Sequence, residues 1–459
     1  MASSLKLVVL ALLLIFVFPI SSNTFLNAEK LRSWCIVLSG EAEFSPNSIS
    51  VFDTLALFLV SAVTFYFLYK VWNFLFVPIK LFRSLGDAGY IPDGRRPMKD
   101  VAFEVKRRRK TGNLPPVYPN GWFHVLNSWE VGTSEVKFVS CLGEHLAVFR
   151  GEDGTAHIVD AYCPHLGANL AIGGQVVGNC IQCPFHGWEF EGDNGKCTKI
   201  PYSKNIPAVA KIKSWLCLER NESIMLWYHA EGAEPSWIPE DLNEIKSGKW
   251  VYRGRTTHQI NAHIQEIPEN GADLNHLDHL HGSPILAGTD LRYTFTSKWI
   301  EVMRHSWDGS WSVDEDNKHV GKLTLKHEIV MFGFRIPLLD FYLCAKQTGP
   351  GVVHMHFSSI FGNGIMIHTV TPEEPLVQRV EHKIYASRFM PAIIAKSYLY
   401  AESIQIERDI MIWNHKRYEA KPLLVKEDNL IGKHRRWYSQ FYSENSPKYP
   451  AIKNNHLDW

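Results

Sequence analysis

The spacing of apolar positions changes character several times along the chain. Residues 7–18 form an unbroken apolar run that follows Lys6 and leads into Pro19, Ser21 and Ser22. A charged start, a short apolar stretch and small residues describe a signal peptide or signal anchor over residues 1–22. Residues 54–69 are uncharged, and the run continues past Lys70 to Ile79. With Lys70 snorkelling, this is long enough to cross a bilayer of roughly 30 Å, so a transmembrane helix is expected over 54–79. Residues 80–118 are rich in Gly, Pro and basic residues without a sustained apolar period, and read as a basic linker. From 119 to 232 short apolar stretches alternate with Gly, Asp and Asn, as in 137–139, 147–150, 157–159 and 224–228, predicting a small all-β domain.

Residues 233–249 read as a connection opening a second domain, 233–459. Strand-like runs follow at 322–331, 352–359 and 364–371, and Val353-His354-Met355-His356-Phe357 alternates as a strand with one polar face. Residues 392–418 hold no Gly or Pro and repeat apolar positions at helical spacing, predicting one long helix. The class is α+β.

Composition narrows the picture in three ways. Lys and Arg number 48 against 47 Asp and Glu, a net charge of +1, so no global field favours nucleic acid. The basic run Lys106-Arg107-Arg108-Arg109-Lys110 has no interleaved aromatic residues, which also argues against nucleic acid. Placed after an apolar span, it puts everything beyond residue 80 in the cytosol by the positive-inside rule. Eight Cys in a chain of 459 residues are no disulfide framework, and reduced thiols fit that face of the membrane.

The chemistry concentrates in Cys163-Pro164-His165-Leu166-Gly167 and Cys183-Pro184-Phe185-His186-Gly187-Trp188. This is C-x-H, a spacer of 17 residues, then C-x-x-H. Two thiolates on one iron and two imidazoles on the other define a Rieske [2Fe-2S] cluster. Neutral imidazole lowers the negative charge on one iron and raises the potential. Zinc fingers order their ligands as a Cys pair and then a His pair, and the interleaved order differs. Electron-transfer Rieske proteins carry an additional Cys in each loop; those places here are Ala168 and Phe185.

A second centre is indicated by Asp273-Leu274-Asn275-His276 and His281, a D-x-x-H-x-x-x-x-H set. Two imidazoles on nearly one helix face, joined by a carboxylate from elsewhere, would make a facial triad for a mononuclear Fe(2+) with open positions for O2. Asp273, one turn before His276, is placed to bond its other ring nitrogen. His263, His279, Glu266 and Glu269 are neighbouring alternatives, and Glu402, Glu407 and Asp409 on the long helix are candidates for the carboxylate.

With these motifs the sequence resembles the Rieske non-haem iron oxygenases over most of residues 119–442, and within them the Neverland-type cholesterol 7-desaturases. Further matching stretches are Pro119-Asn120-Gly121-Trp122-Phe123, residues 263–273, Glu407-Arg408-Asp409-Ile410-Met411-Ile412-Trp413 and residues 435–442. The resemblance implies Cys163, His165, Cys183 and His186 on the cluster, and His276, His281 and Asp409 on the catalytic iron. It implies Asp273 as a bridge between the centres across a subunit boundary of a head-to-tail homotrimer. It also implies a helix-grip catalytic domain: a curved antiparallel sheet with a long C-terminal helix across it.

The activity it implies is conversion of cholesterol to 7-dehydrocholesterol with O2 in steroid-hormone synthesis, at a membrane, the endoplasmic reticulum. No G-x-G-x-x-G fingerprint is present, so an NAD(P)H-dependent reductase is expected as partner. The rival readings are a Rieske monooxygenase hydroxylating another steroid, lipid or tetrapyrrole, and an electron-transfer protein without a second iron.

Overall fold

The structure is a computed structural model that describes residues 51–449; the expected signal segment 1–22 lies outside them. Contacts divide the chain into two units, Met1–Val77 and Pro78–Trp459.

In the first unit the described residues form helix α1 (Val51–Phe76). Its apolar side chains, Phe58, Phe65, Tyr66, Trp72 and Phe76 among them, are exposed. A helix apolar on all sides is suited to lipid rather than water. Its 26 residues span about 39 Å at 1.5 Å per residue, enough to cross a membrane. The expected span reached Ile79, but the helix stops at Phe76. Pro78 has no N–H and disfavours helical backbone at the residue before it.

Residues 80–118, expected as a linker, carry structure in the second unit. Strand β1 (Ile79–Arg83) pairs in parallel with residues 254–258 of the large sheet described below, and helix α2 (Met98–Arg108) follows. Arg109 at its end is buried: its guanidinium faces Glu266 at 3.4 Å and bonds the Asn261 carbonyl and, at 3.2 Å, that of Lys416. A charge run looks solvated in sequence. Only the fold shows which member turns inward.

The next region is all-β. Its strands are β2 (Gly121–Asn127), β3 (Val136–Cys141), β4 (Glu144–Arg150), β5 (Ala156–Asp160), β6 (Gln175–Val177), β7 (Cys180–Gln182), β8 (Glu189–Glu191), β9 (Cys197–Lys199), β10 (Ser214–Trp215), β11 (Cys217–Arg220) and β12 (Ser223–Tyr228). They form three small antiparallel sheets, β10-β5-β4-β3, β11-β12-β2 and β6-β7-β8-β9. The two Cys/His loops connect β5 to β6 and β7 to β8.

The following sheet comprises β13 (Trp250–Asn261), β14 (Met303–Val313), β15 (Val320–Met331), β16 (Phe334–Arg335), β17 (Phe341–Thr348), β18 (Val352–Ser359), β19 (Gly362–Glu374) and β20 (Val377–Ser387). With β1 it has nine strands in the order β1-β13-β20-β19-β18-β17-β15-β14, with β16 beside β15. All pairings are antiparallel except β1 with β13. Helix α3 (Leu274–Leu280) precedes β14, and the long α4 (Ala392–Trp413) and α5 (Asn429–Tyr438) follow the sheet.

α4 begins after Pro391 and buries Ala395, Leu399, Ser403, Ile406, Ile410 and Trp413, three or four residues apart, against β13 and β20. It was expected to run to 418. It ends at Trp413, where the Asn414 side chain accepts from Asn261 N–H and donates to the Ala88 carbonyl.

One apolar core joins the β-region to the large sheet: Phe123, Val125, Leu146 and Leu226 pack with Ile260, Val370, Val380 and Ile410. The expected polar face of β18 is graded, from buried His354 through half-buried His356 to exposed Ser358. His354 is buried, and burial lowers its pKa to about 4.

Candidate metal centres

The first centre is built on two near-identical turns. Gly167 N–H bonds Cys163 C=O at 2.9 Å, and Gly187 N–H bonds Cys183 C=O at 3.0 Å. Each Cys N–H in turn bonds a carbonyl five residues on, Ala168 at 2.9 Å and Trp188 at 2.7 Å. Both turns need left-handed backbone, supplied by Gly167 (φ 75°) and Gly187 (φ 72°). Cys163 and Cys183 are buried against Phe149, Leu170, Ile181 and Phe190. Burial pushes the Cys163 thiol up to about 11, with Cys183 beside it. Two adjacent buried thiols fit a cation that would supply the charge their thiolates need.

The imidazoles stand further out. The His165 and His186 rings are half-buried, with centroids 4.6 Å apart. His165 stacks on Trp188 at 4.9 Å, and Trp188 Nε1–H donates to the Tyr202 hydroxyl at 2.8 Å. Leu166 and Phe185 next to them are exposed apolar side chains. The cluster loops thus bury their sulfurs and present their histidines.

The second centre is assembled from α3 and α4. One nitrogen each of His276 and His281 and one oxygen of Asp409 lie within 4.8 Å of one another, the one such donor group among the described residues. The imidazole nitrogens that face away are held. His281 Nδ1–H donates to Gln405 Oε1 at 2.7 Å, leaving Nε2 3.3 Å from Asp409 Oδ2. His276 Nδ1–H donates to the backbone carbonyl of Asp273. Both rings therefore turn Nε2 lone pairs to a common point, as a metal requires.

Burial lowers the His276 pKa. At His281 burial also disfavours the charge, but the neighbouring Asp409 carboxylate wins and raises it.

The sequence placed the Asp273 carboxylate on the other ring nitrogen of His276. In the structure the carbonyl makes that bond. The carboxylate caps α3, accepting from His276 N–H at 3.3 Å, and its nearer oxygen is 4.0 Å from Nδ1. Half-buried, it retains a face for another partner.

The alternatives sort themselves by their partners. Glu407 faces Arg83 at 3.1 Å and His258 at 3.6 Å, and Glu402 lies beside His382. His263 is buried against the Pro116 carbonyl, His279 stacks on Phe295, Glu266 pairs with Arg109 and Glu269 with Arg435. Sequence reading missed Gln405 and Arg408. Gln405 is one turn before Asp409, the position from which a side chain reaches the same site. Arg408 is wholly buried and donates to the carbonyls of Ser283 and Pro284, each at 2.8 Å, and of Gly288 at 3.0 Å. It ties the segment after His281 to α4.

A cavity of about 220 Å³ opens on this triad. Its wall is largely apolar, with Leu323, Leu325, Leu343, Met355, Met366 and Ile406 among its residues.

Residues 121–213 match the Rieske [2Fe-2S] domain, and residues 226–442 match the 3-ketosteroid 9alpha-hydroxylase C-terminal domain. The cholesterol 7-desaturase nvd of Hemicentrotus pulcherrimus is 51% identical over 88% of this chain and 86% of its own. The chain belongs to the Rieske oxygenases that include these desaturases. A Xenopus laevis relative of the same name is also 51% identical, over 84% of this chain and 86% of its own. Among solved structures this Rieske oxygenase is similar to dicamba monooxygenase bound to dicamba. The TM-score is 0.51 at 17% identity, covering 71% of this chain and 98% of the other, a likeness of fold. The protein is an oxidoreductase that uses a Rieske [2Fe-2S] cluster and a mononuclear non-haem iron.

Proposed function

We propose that this Rieske oxygenase is a membrane-anchored cholesterol 7-desaturase. The observation that carries the reading is an apolar cavity opening on the His276, His281 and Asp409 triad, in a chain half identical to proteins of that activity. Desaturation removes one hydrogen from C7 and one from C8. O2 with two electrons and two protons leaves as two waters. Cys163, His165, Cys183 and His186 hold the cluster, and the triad holds the catalytic iron, which when bound supplies O2 activation.

The chain's own groups do the positioning. Gln405 and the Asp273 carbonyl fix the two imidazoles, Arg408 holds the segment between them and α4, and the apolar wall excludes water from the reacting carbon. The domains divide at 119–232 and 233–459, with α1 as anchor.

An NAD(P)H-dependent reductase would be the electron source, and the cluster that Cys163, His165, Cys183 and His186 would hold supplies one-electron redox chemistry when bound. Presented histidines flanked by exposed Leu166 and Phe185 support docking of another protein surface there. The same features, with the half-buried Asp273 carboxylate, support a head-to-tail homotrimer in which Asp273 would lie between the cluster histidines of one protomer and the His276 of the other. The anchor and the basic residues after it support a membrane address with the catalytic domains in the cytosol, a membrane we read as the endoplasmic reticulum.

The sterol profile of cells expressing the full chain with cholesterol supplied tests the activity. Accumulation of 7-dehydrocholesterol is expected. Unchanged cholesterol with full iron loading and an active reductase removes the substrate assignment, and a hydroxylated product would make the chain a monooxygenase. Removal of residues 1–77, which spares β1, should slow turnover of sterol in vesicles more than of detergent-dispersed sterol. Equal slowing would leave the anchor only an address.

A further inference from the structure

Asn270, Gln347 and Gln405 also line the cavity, but His368, His382 and Glu402 form a row of polar side chains facing one another in its otherwise largely apolar wall beside the triad. His368 on β19 and His382 on β20 are directly opposed across the sheet, and His368 Nδ1 lies 2.6 Å from His382 Nε2. Glu402 on α4 places Oε1 3.6 Å from the same His382 nitrogen. All three line the cavity, and His382 Nδ1 is buried with no hydrogen-bond partner. Burying a polar group in an apolar wall without a partner is unfavourable. Packing alone would be better served here by Leu or Phe.

The chemistry of the row is selective. Burial lowers the His368 pKa to about 4 and that of His382 well below its usual value, so both imidazoles are neutral at pH 7. Burial raises the Glu402 pKa. The row therefore offers hydrogen-bond donors and acceptors together and no fixed positive charge. An alcohol needs both kinds of group; a sulfate or phosphate ester would need a cation. Position agrees as well. Glu402 is two helical turns before Asp409 on the same face of α4, about 10 Å along the axis. In a sterol the hydroxyl is on ring A and the carbon to be desaturated is on the adjacent ring B.

We propose that His368, His382 and Glu402 form the hydroxyl-binding subsite of the cavity, gripping the free 3-hydroxyl so that ring B lies at the triad. The proposal rests on the sterol-desaturase reading and adds a specificity determinant to it. It makes the enzyme selective for the free sterol over its 3-sulfate, its 3-esters and its 3-deoxy analogue.

The test uses the full-length, iron-loaded protein with its reductase, and compares kcat/KM for cholesterol and the 3-deoxy analogue. Wild type should favour cholesterol at least about tenfold, because a site built to bond a hydroxyl rejects the analogue without it. In His368→Leu this ratio should fall towards one, mainly through KM for cholesterol, and His368→Asn should recover part of it. Equilibrium binding of radiolabelled cholesterol should weaken by about the same factor as KM rises. If His368→Leu does not fold, Glu402→Leu is read the same way. A ratio unchanged in a folded variant with intact iron content and Rieske signal overturns the subsite while leaving the desaturase reading in place. Absence of any sterol turnover by the loaded wild type overturns the desaturase reading itself, and the subsite with it.

Discussion

The two metal centres are built on opposite plans. The cluster site draws all four candidate ligands from two short turns, each closed by its own backbone and a glycine. The iron site joins α3 to α4, and its His281 and Asp409 are 128 residues apart in the chain. The cluster site hides its sulfurs and presents its histidines; the iron site buries His281 and Asp409, half-buries His276 and opens on an apolar cavity. A relay has to meet a partner at its edge. An oxidising centre has to be closed to water and open to one substrate.

The largest effects should come from deleting ligands, and they should be separable. Wild type should carry about three irons and two acid-labile sulfides per chain. Asp409→Ala should retain the Rieske electron paramagnetic resonance signal, keep about two irons and lose turnover. Cys183→Ala should keep at most about one iron and also lower the melting temperature, since Cys183 belongs to the core of its region. A Rieske signal lost in Asp409→Ala would mean that the centres are not independently built.

Next in size are the residues that aim the donors. Gln405→Leu frees His281 Nδ1 and should weaken iron retention or turnover by about 10–100-fold, followed by dialysis and elemental analysis. Asp273→Asn retains a good helix cap but loses the charge, so iron should stay while turnover falls about tenfold or more. Wild-type turnover in that variant would leave Asp273 as a cap only.

Acid should destabilise the fold through its buried neutral histidines. Burial lowers His263 to about 4 and His434 to about 3, and neither nitrogen of His434 has a partner. Below the usual value near 6.5 the unfolded chain takes up protons that the folded chain refuses. Stability should therefore fall as pH drops from about 6.5 towards 4, by about 1.4 kcal/mol per pH unit for each such group. Urea unfolding at several pH values measures it, and a flat profile over that window would contradict it.

The smallest contrast lies within the cluster site. Gly167→Ala pays only for left-handed backbone, about 1 kcal/mol, because a Cβ there meets nothing within 4 Å. Gly187→Ala should cost more, since its Cβ would stand 3.0 Å from Pro201 Cγ. Equal melting temperatures for the two would show that backbone strain alone sets the cost.

Local features were legible in the chain itself. Ligand type and spacing within one turn, the glycine near each cluster histidine, the unbroken apolar run of α1 and the buried stripe of α4 are all properties of neighbouring residues. The helix-grip architecture came through the family resemblance rather than from periodicity.

Tertiary structure alone decided what depends on residues far apart in sequence. By spacing alone Glu402, Glu407 and Asp409 are equivalent acids on one helix, and only the family resemblance pointed to Asp409; in the fold β1 brings Arg83 to Glu407, β20 brings His382 to Glu402, and α3 brings two imidazoles to Asp409. Residues 80–118 looked like a linker because basic side chains are normally solvated. Their strand and the buried Arg109 exist only because β13 and Glu266 are there to receive them. Chain-local spacing reports the chemistry a segment can perform. Which groups meet is fixed by desolvation and packing between distant elements, which no local pattern encodes.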